Sequence, residues 1–225
     1  MNFKLDPTRH AAPQVVEALR AAIISLELAP GQALDRGELA QSFGVSQTPV
    51  RDALIRLSEE GLVIVRAQYT TQVSLIDVPA AREAHFLRRS VEIEIARQLA
   101  LGHEAAVIAD LRAELARQVD FAAKKDFLGF IAADKEFHRR MYVAADLPRL
   151  WSVVGRMSGH VDRLRLLHSP FAGKTESILR THQAILEAIE RRDVEAAQQA
   201  VRDHLSGTLA SVDEIQQRYP EYLIL

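Results

Sequence analysis

Residues 38–65, ELAQSFGVSQTPVRDALIRLSEEGLVIV, constrain the fold more than any other stretch of this sequence. Apolar residues recur at helical spacing on both sides of Gly44, which readily takes the left-handed conformation that ends a helix. Ser46 is a typical N-cap residue, and Pro49 falls in the first turn of the second helix, where its missing N–H costs least. After Gly61 the run LVIV is typical of a strand. The stretch therefore predicts a helix-turn-helix followed by a strand.

The outward face of the second predicted helix carries side chains that suit DNA. In a helix-turn-helix this helix lies in the major groove, led by its N-terminal residues. Arg can bond guanine or phosphate, Gln can pair with adenine, and Thr can contact phosphate or a thymine methyl group. A helical hairpin inside a larger helical protein would share the periodicity, but the turn, the placed proline and the strand favour DNA binding. The predicted DNA-contacting residues are Arg36, Ser46, Gln47, Thr48, Arg51, Arg56, Arg66 and Gln68.

The neighbouring segments predict the rest of a small winged-helix domain. A helix over 13–27 is followed by a Pro-Gly turn, a short strand within 32–34, and Asp35 as the cap of the next helix. Residues 67–70 are the predicted wing loop between two strands. We expect this DNA-binding domain to span residues 10–76.

The remainder of the chain, residues 77–222, predicts a second domain made of helices. Short connections between long helical patterns are typical of an antiparallel bundle. The predicted fold class is therefore mostly α, a winged helix-turn-helix domain followed by a helical bundle, and no strand pattern is evident after the first domain. The predicted helices cover residues 78–101, 104–123, 126–145, 148–168, 175–191 and 193–218.

Composition limits how this chain can bind DNA and where it can function. The net charge is −2, and the first 75 residues hold seven Lys or Arg against eight Asp or Glu. Binding must therefore depend on a few placed arginines and on their duplication in a dimer. There is no Cys, no apolar run near the length of a membrane span and no apolar leader at the start. We expect a cytoplasmic protein without a membrane partner.

Four residues in the helical part form a candidate metal site. Asp134 and His138 are four apart and project from the same face of one helix, while His182 and His204 lie on the last two predicted helices. Three imidazoles and one carboxylate suit Zn²⁺, Ni²⁺ or Mn²⁺ and leave room for water or a ligand carboxylate. Because the chain has eight histidines, this spacing alone also fits unrelated surface or core histidines.

Three runs of the sequence resemble a known family. VSQTPVRDALIRLSEEGLV resembles the winged helix-turn-helix signature of the GntR family of bacterial transcription regulators. Gln47 stands where that family usually has a DNA-contacting Arg, and Thr70 stands near the wing tip where Gly is common. KDFLGFIAADKEFHRRMYVAA and HQAILEAIERRDVEAAQQAVRDHL resemble the FCD ligand-binding domain of the FadR-type branch. The resemblance extends from about Pro13 to Leu209.

The resemblance also implies the metal ligands. Metal-binding members of this branch hold a divalent ion with one Asp and three His, and the matching positions here are Asp134, His138, His182 and His204. Thr181 replaces a common Glu and Arg192 a common Gly, and neither position is a ligand. The expected ion is Zn²⁺, with Ni²⁺ or Mn²⁺ as alternatives.

The function implied by the resemblance is regulation of transcription rather than catalysis. We expect a homodimer on a palindromic double-stranded operator, whose affinity changes when a small organic acid completes the metal's coordination. The arginines predicted to pair with that acid are Arg88, four residues before Glu92, and Arg163. Three alternatives stay open: a regulator that senses the metal itself, a metal-dependent hydrolase or lyase, and a bundle in which the histidines only stabilise the fold.

Overall fold

The computed structural model describes residues 5–65, 71–168, 173–210 and 212–225. Helices dominate, and the chain begins with a helix-turn-helix and a small antiparallel sheet, so the predicted fold class is confirmed. The first elements are α1 (Ala11–Ile24), β1 (Ala33–Leu34), α2 (Arg36–Phe43), α3 (Gln47–Glu59), β2 (Val63–Ile64), β3 (Thr71–Val73) and β4 (Ile76–Asp77). Then follow α4 (Val78–Leu101), α5 (Ala105–Ala123), α6 (Phe127–Ala144), α7 (Pro148–Met157), α8 (Gly159–His168), α9 (Lys174–Glu190), α10 (Val194–Ala210), α11 (Val212–Arg218) and β5 (Leu223–Ile224).

The chain divides into two compact units. The first unit contains the residues up to Ala81 together with Met157–Leu166 and Glu214–Leu225. The second contains Arg82–Arg156 and Leu167–Asp213. The sequence predicted a division at residues 76 and 77 with everything later in the bundle, whereas α8 and the C-terminal segment belong to the first unit. Within the described residues, no helix is long and apolar enough to cross a membrane.

The first unit is built on a three-stranded sheet and three helices. The strand order is β1-β3-β2, and both pairs are antiparallel. Leu19 and Ile23 of α1 and Leu54 and Leu57 of α3 are almost completely buried in the core beneath this sheet. The predicted wing residues Arg66, Gln68 and Thr70 lie outside the described residues.

Two predicted features of the C-terminal part were wrong. The helix expected over 148–168 is two helices, α7 and α8, separated at Ser158. Glycines at 155 and 159 lower the helix propensity there, and at Gly159 the backbone passes so close to Leu62 that an added Cβ would lie 2.5 Å from its Cδ2 atom. A strand also exists where none was expected: β5 pairs in parallel with β4.

The second unit is formed by helices around its own apolar core. Ile95, Leu111, Phe137, Met141 and Ile185 are among its most buried side chains. Helix α4 has the bounds that the sequence predicted, because its cap is local: the Asp77 carboxylate accepts a hydrogen bond from the Ala80 N–H at 2.8 Å. These helices also carry the polar residues of the candidate metal site.

Candidate functional site

The helix-turn-helix forms for the local reasons that its sequence indicates. The Asp35 carboxylate accepts a hydrogen bond from the Glu38 N–H at 2.8 Å and caps α2. Gly44 ends this helix with φ of 65°, and the Val45 N–H then bonds to the Ala40 carbonyl. These contacts set the turn that leads into α3.

Helix α3 presents a polar face to solvent. Its apolar residues are buried, and Ser46 occupies the N-cap position as predicted, although its side chain makes no capping hydrogen bond. Arg51 contacts Asp52 at 3.4 Å, an exposed pair too weak to hold either side chain. The described residues predicted to contact DNA are all exposed, namely Arg36, Ser46, Gln47, Thr48, Arg51 and Arg56. This arrangement, with α3 beside a small antiparallel sheet, defines a winged helix-turn-helix DNA-binding protein.

In the second unit, three helices bring the four predicted metal ligands together. Asp134 and His138 lie on α6, His182 on α9 and His204 on α10. The Nε2 atoms of the three histidines are 3.0 to 3.2 Å apart, and Asp134 Oδ1 is 3.7 Å from His182 Nε2. All four donor atoms lie within 4.8 Å of one another. The first three residues are buried and His204 is partly buried.

The second ring nitrogen of each histidine contacts another side chain. His138 Nδ1 lies 2.8 Å from the Glu92 carboxylate and His182 Nδ1 lies 2.7 Å from Gln118 Oε1. His204 Nδ1 lies 2.9 Å from the Thr181 hydroxyl. Such partners fix ring orientation and tautomer in metal sites.

Two of these contacts determine which nitrogen carries the proton in a neutral ring. The Glu92 carboxylate lies beside Nδ1 of His138, which favours the proton on that nitrogen and leaves Nε2 with its lone pair. The Gln118 NH₂ donates to the Ala133 carbonyl at 3.3 Å, which turns the amide oxygen of Gln118 towards His182. His182 therefore also directs an unprotonated Nε2 at the other histidines. The Phe137 ring stacks on His182 with ring centroids 4.4 Å apart and limits its rotation.

This donor set fits a divalent metal ion. Nitrogens bound about 2.0–2.1 Å from one ion at angles of about 90–110° are roughly 2.8–3.4 Å apart, a range that contains the observed Nε2 separations. Lone pairs of several neutral imidazoles directed at each other repel in the absence of a cation. Three nitrogens and one carboxylate are ligands that Zn²⁺, Ni²⁺ and Mn²⁺ accept.

The two arginines predicted to bind an effector have different surroundings. Arg88 is buried in the second unit, where its Nε donates to Glu92 at 2.6 Å. The Glu92 carboxylate also contacts His138, so Glu92 connects Arg88 to a candidate ligand. Tyr142 lies 3.5 Å from the same carboxylate. Burial, and then the charge of Glu92, raise the pKa of the Tyr142 hydroxyl, so that it remains protonated.

Arg163 belongs to the first unit and is completely buried there. Its guanidinium donates to the Ser74 carbonyl at 2.7 Å, to the Ser74 hydroxyl at 3.1 Å and to the Leu75 carbonyl at 3.4 Å. Burial lowers the pKa of Arg163 to about 10, which still leaves it charged at neutral pH. These donors serve the chain itself, and the effector contact of Arg163 stays a prediction.

Sequence reasoning missed three residues of this site: Glu92, Gln118 and Thr181. The sequence contains a signal for Glu92 and Gln118. Glu92 stands on the inward face of α4, three residues before the buried Ile95, and Gln118 stands three residues after the buried Leu115 of α5. A polar side chain in an apolar stripe needs a buried partner. Thr181 carries no such signal, because it is partly exposed and directly precedes His182.

Comparison with known proteins agrees with both parts of this description. Residues 11–73 match the family model of bacterial regulatory proteins of the gntR family, and residues 83–207 match that of the FCD domain. The chain therefore belongs to the GntR family of bacterial transcription regulators and carries an FCD domain. The residues after 207 lie beyond both matches.

Similar proteins are regulators as well. An uncharacterised HTH-type transcriptional regulator from Streptomyces ambofaciens is 36% identical over 90% of this chain and 85% of its own length. The HTH-type transcriptional repressor RspR of Escherichia coli K12 is 30% identical over 97% of this chain and 96% of its own. The solved structure of E. coli McbR/YncC shares the fold, with a TM-score of 0.77 at 19% identity over 94% and 99% of the two chains. The chain is a DNA-binding transcription regulator and not an enzyme, so the hydrolase or lyase alternative falls away.

Proposed function

We propose that this regulator's affinity for its operator is modulated by a small carboxylate that binds at a divalent metal ion in the FCD domain. The supporting observation is the histidine cluster, in which three Nε2 atoms lie 3.0 to 3.2 Å apart while each Nδ1 contacts a different side chain. Asp134, His138, His182 and His204 would hold the ion, Zn²⁺ first and Ni²⁺ or Mn²⁺ as alternatives.

The residues around the ligands prepare the site before any ion binds. Glu92 and Gln118 keep His138 and His182 in the tautomer that a metal requires, and Phe137 limits ring rotation. A bound ion would supply a positive centre that accepts a carboxylate oxygen. Arg88, joined to His138 through Glu92, is the proposed second contact for that carboxylate.

The proposed regulator acts as a cytoplasmic homodimer. Two copies of α3 would read the two halves of a palindromic operator, which compensates for a chain whose net charge is −2. The effector changes operator affinity only if it binds more tightly to one arrangement of the dimer than to another.

The first experiment is elemental analysis of the purified protein beside His182→Ala and His204→Ala. We expect about one divalent ion per chain in the wild type and none in either variant, because each lacks one of the four ligands. His10→Ala is the matched control, since His10 is exposed and lies before α1, and it should keep the ion.

Operator affinity of the metal-loaded protein is then measured with a panel of small carboxylates. A change with at least one carboxylate supports the proposal. Affinity that follows the free metal concentration without any organic ligand would instead identify a metal sensor. A metal that only raises the melting temperature would identify a structural ion.

The DNA-binding face has its own test in Arg51→Ala. If Arg51 contacts a base, the variant should lose about 1–3 kcal/mol of specific binding free energy and discriminate less between operator sequences. Arg112→Ala is the control, because Arg112 is exposed in the second unit and pairs with Glu190. Equal operator affinity of Arg51→Ala and wild type would show that α3 is placed differently on DNA.

A further inference from the structure

Residues 74–77, which we call the linker, join the wing strand β3 to helix α4 and are held along their whole length. The Ser74 and Leu75 carbonyls accept hydrogen bonds from Arg163 of α8. The next two residues form β4, in which Ile76 pairs with Leu223 and Asp77 with Ile224. Each linker residue is therefore bonded to, or paired with, a segment at least 80 residues away in sequence.

His160 of α8 adds a further contact to the linker. Its Nδ1 accepts a hydrogen bond from the Asp77 N–H at 3.0 Å. Its Nε2 faces Gly61, where an added Cβ would lie 3.2 Å away. Gly61 directly follows the recognition helix α3 and its cap, so the same side chain contacts both the linker and the end of the DNA-reading element.

The strand β5 comes from a part of the chain that the family match does not cover. The FCD match ends at residue 207, whereas β5 comes after α11 and begins sixteen residues beyond the end of that match, at Leu223–Ile224. Leu223 is 8% exposed, whereas Ile224 and Leu225 are 47% and 64% exposed. The burial of Leu223 shows that β5 is fixed against the first unit and does not lie in solvent.

Chain connectivity links β5 to the proposed metal centre. Helix α10 carries His204, and the chain runs from α10 through α11 to β5. A pairing of two residues is weak by itself, so a small change in free energy can form or break it. These properties suit an element that has two states.

We propose that β5 is a coupling strand: by pairing with β4 it holds the linker in the conformation that binds the operator, and it transmits changes at α10 to the linker. The coupling part of this inference rests on the proposed function, because it takes the ion at His204 as the source of the change. The holding part does not, and it applies to the protein without any ligand.

The test compares Leu223→Asp with Leu225→Asp in the full-length protein. A charge at buried position 223 should break the β4–β5 pairing, whereas the same charge at the exposed position 225 should not. We expect Leu223→Asp to lose about tenfold in operator affinity and to exchange the amide hydrogens of residues 74–77 faster. Leu225→Asp should match the wild type in both measurements.

The outcomes separate this inference from the proposed function. Equal operator affinity and equal exchange in the two variants would overturn the coupling strand, whatever the metal content. If Leu223→Asp does not fold, deletion of residues 223–225 compared with deletion of residue 225 alone gives the same contrast.

A wild type without metal would overturn the proposed function, while a difference between the variants would still support the holding role. Loss of the effector response in Leu223→Asp with unchanged metal content would support the coupling role.

Discussion

The histidine cluster of the second unit and the buried His160 of the first unit use histidine in opposite ways. In the second unit, His138, His182 and His204 direct one nitrogen each at the others and the second nitrogen at a side chain. In the first unit, His160 accepts a hydrogen bond from the backbone N–H of Asp77 and faces Gly61 on its other side. Burial of a histidine therefore says little about metal binding. A candidate ligand differs from a structural histidine in that one of its ring nitrogens faces other candidate ligand atoms.

The charged partners differ in the same way. Arg163 bonds to backbone carbonyls beside His160, so the cluster in the first unit joins segments of the chain. Arg88 bonds to Glu92, a carboxylate that in turn contacts a candidate ligand. The cluster of His160 and Arg163 should therefore control stability, and the cluster of His138, His182 and His204 should control metal affinity.

The largest effect expected from this contrast is that of Arg163→Ala. The change removes the guanidinium that donates to both the Ser74 and the Leu75 carbonyls, and a buried acceptor that loses its partner costs about 1–3 kcal/mol. We expect the free energy of unfolding to fall by about 3 kcal/mol, measured by urea denaturation. Arg165→Ala on the same helix, which removes a partly exposed pair with Asp162 at 4.0 Å, should cost less, about 1 kcal/mol. Similar losses for both variants would contradict the structural role of Arg163.

The next effect concerns metal affinity and Glu92→Gln. The substitution removes the charge that holds His138 Nδ1 while keeping the side chain's shape, and changes of this kind typically weaken metal binding about 10–100-fold. Competition with a chromophoric chelator measures this affinity. Glu114→Gln is the control, because Glu114 is equally buried in the same unit but pairs with Arg117 and Arg140. Unchanged affinity in Glu92→Gln would show that Glu92 does not support metal binding at His138.

The smallest effect concerns pH and His160. Burial, followed by the charge of Arg163, lowers the pKa of His160 from 6.5 to about 4, so the unfolded chain binds the proton at a pH where the folded chain does not. Stability is therefore lost as pH falls from about 6.5 to 4, and between pH 7 and pH 5 this one group accounts for about 2 kcal/mol. His160→Asn keeps an acceptor for the Asp77 N–H without titrating. The wild type should lose more stability than this variant over that range, and equal losses would show that His160 is not the titrating group.

Local signals explain what could be predicted. The turn at Gly44, the cap at Asp35 and the bounds of α4 depend on residues within one helical turn of each other, and the structure contains all three. The pairing of Asp134 with His138 on one helix face also follows from a spacing of four. That His182 and His204 reach them came from resemblance to a family and not from spacing.

Contacts between distant segments explain what could not be predicted. The division of residues 148–168 into two helices places Gly159 against Leu62, nearly 100 positions earlier. The sequence around β5 offers only the short apolar run Leu-Ile-Leu, which is too brief to distinguish a strand from a loop.

The sequence alone determined the helix-turn-helix, the helical character of the second part and the identity of the candidate ligands, because caps, periodicity and motif residues act over a few positions. The tertiary structure decided the tautomers of His138 and His182, the structural role of Arg163 and the pairing of the linker with the C-terminal strand. Those features depend on contacts between groups that are far apart in sequence, and such contacts form only when the helices pack.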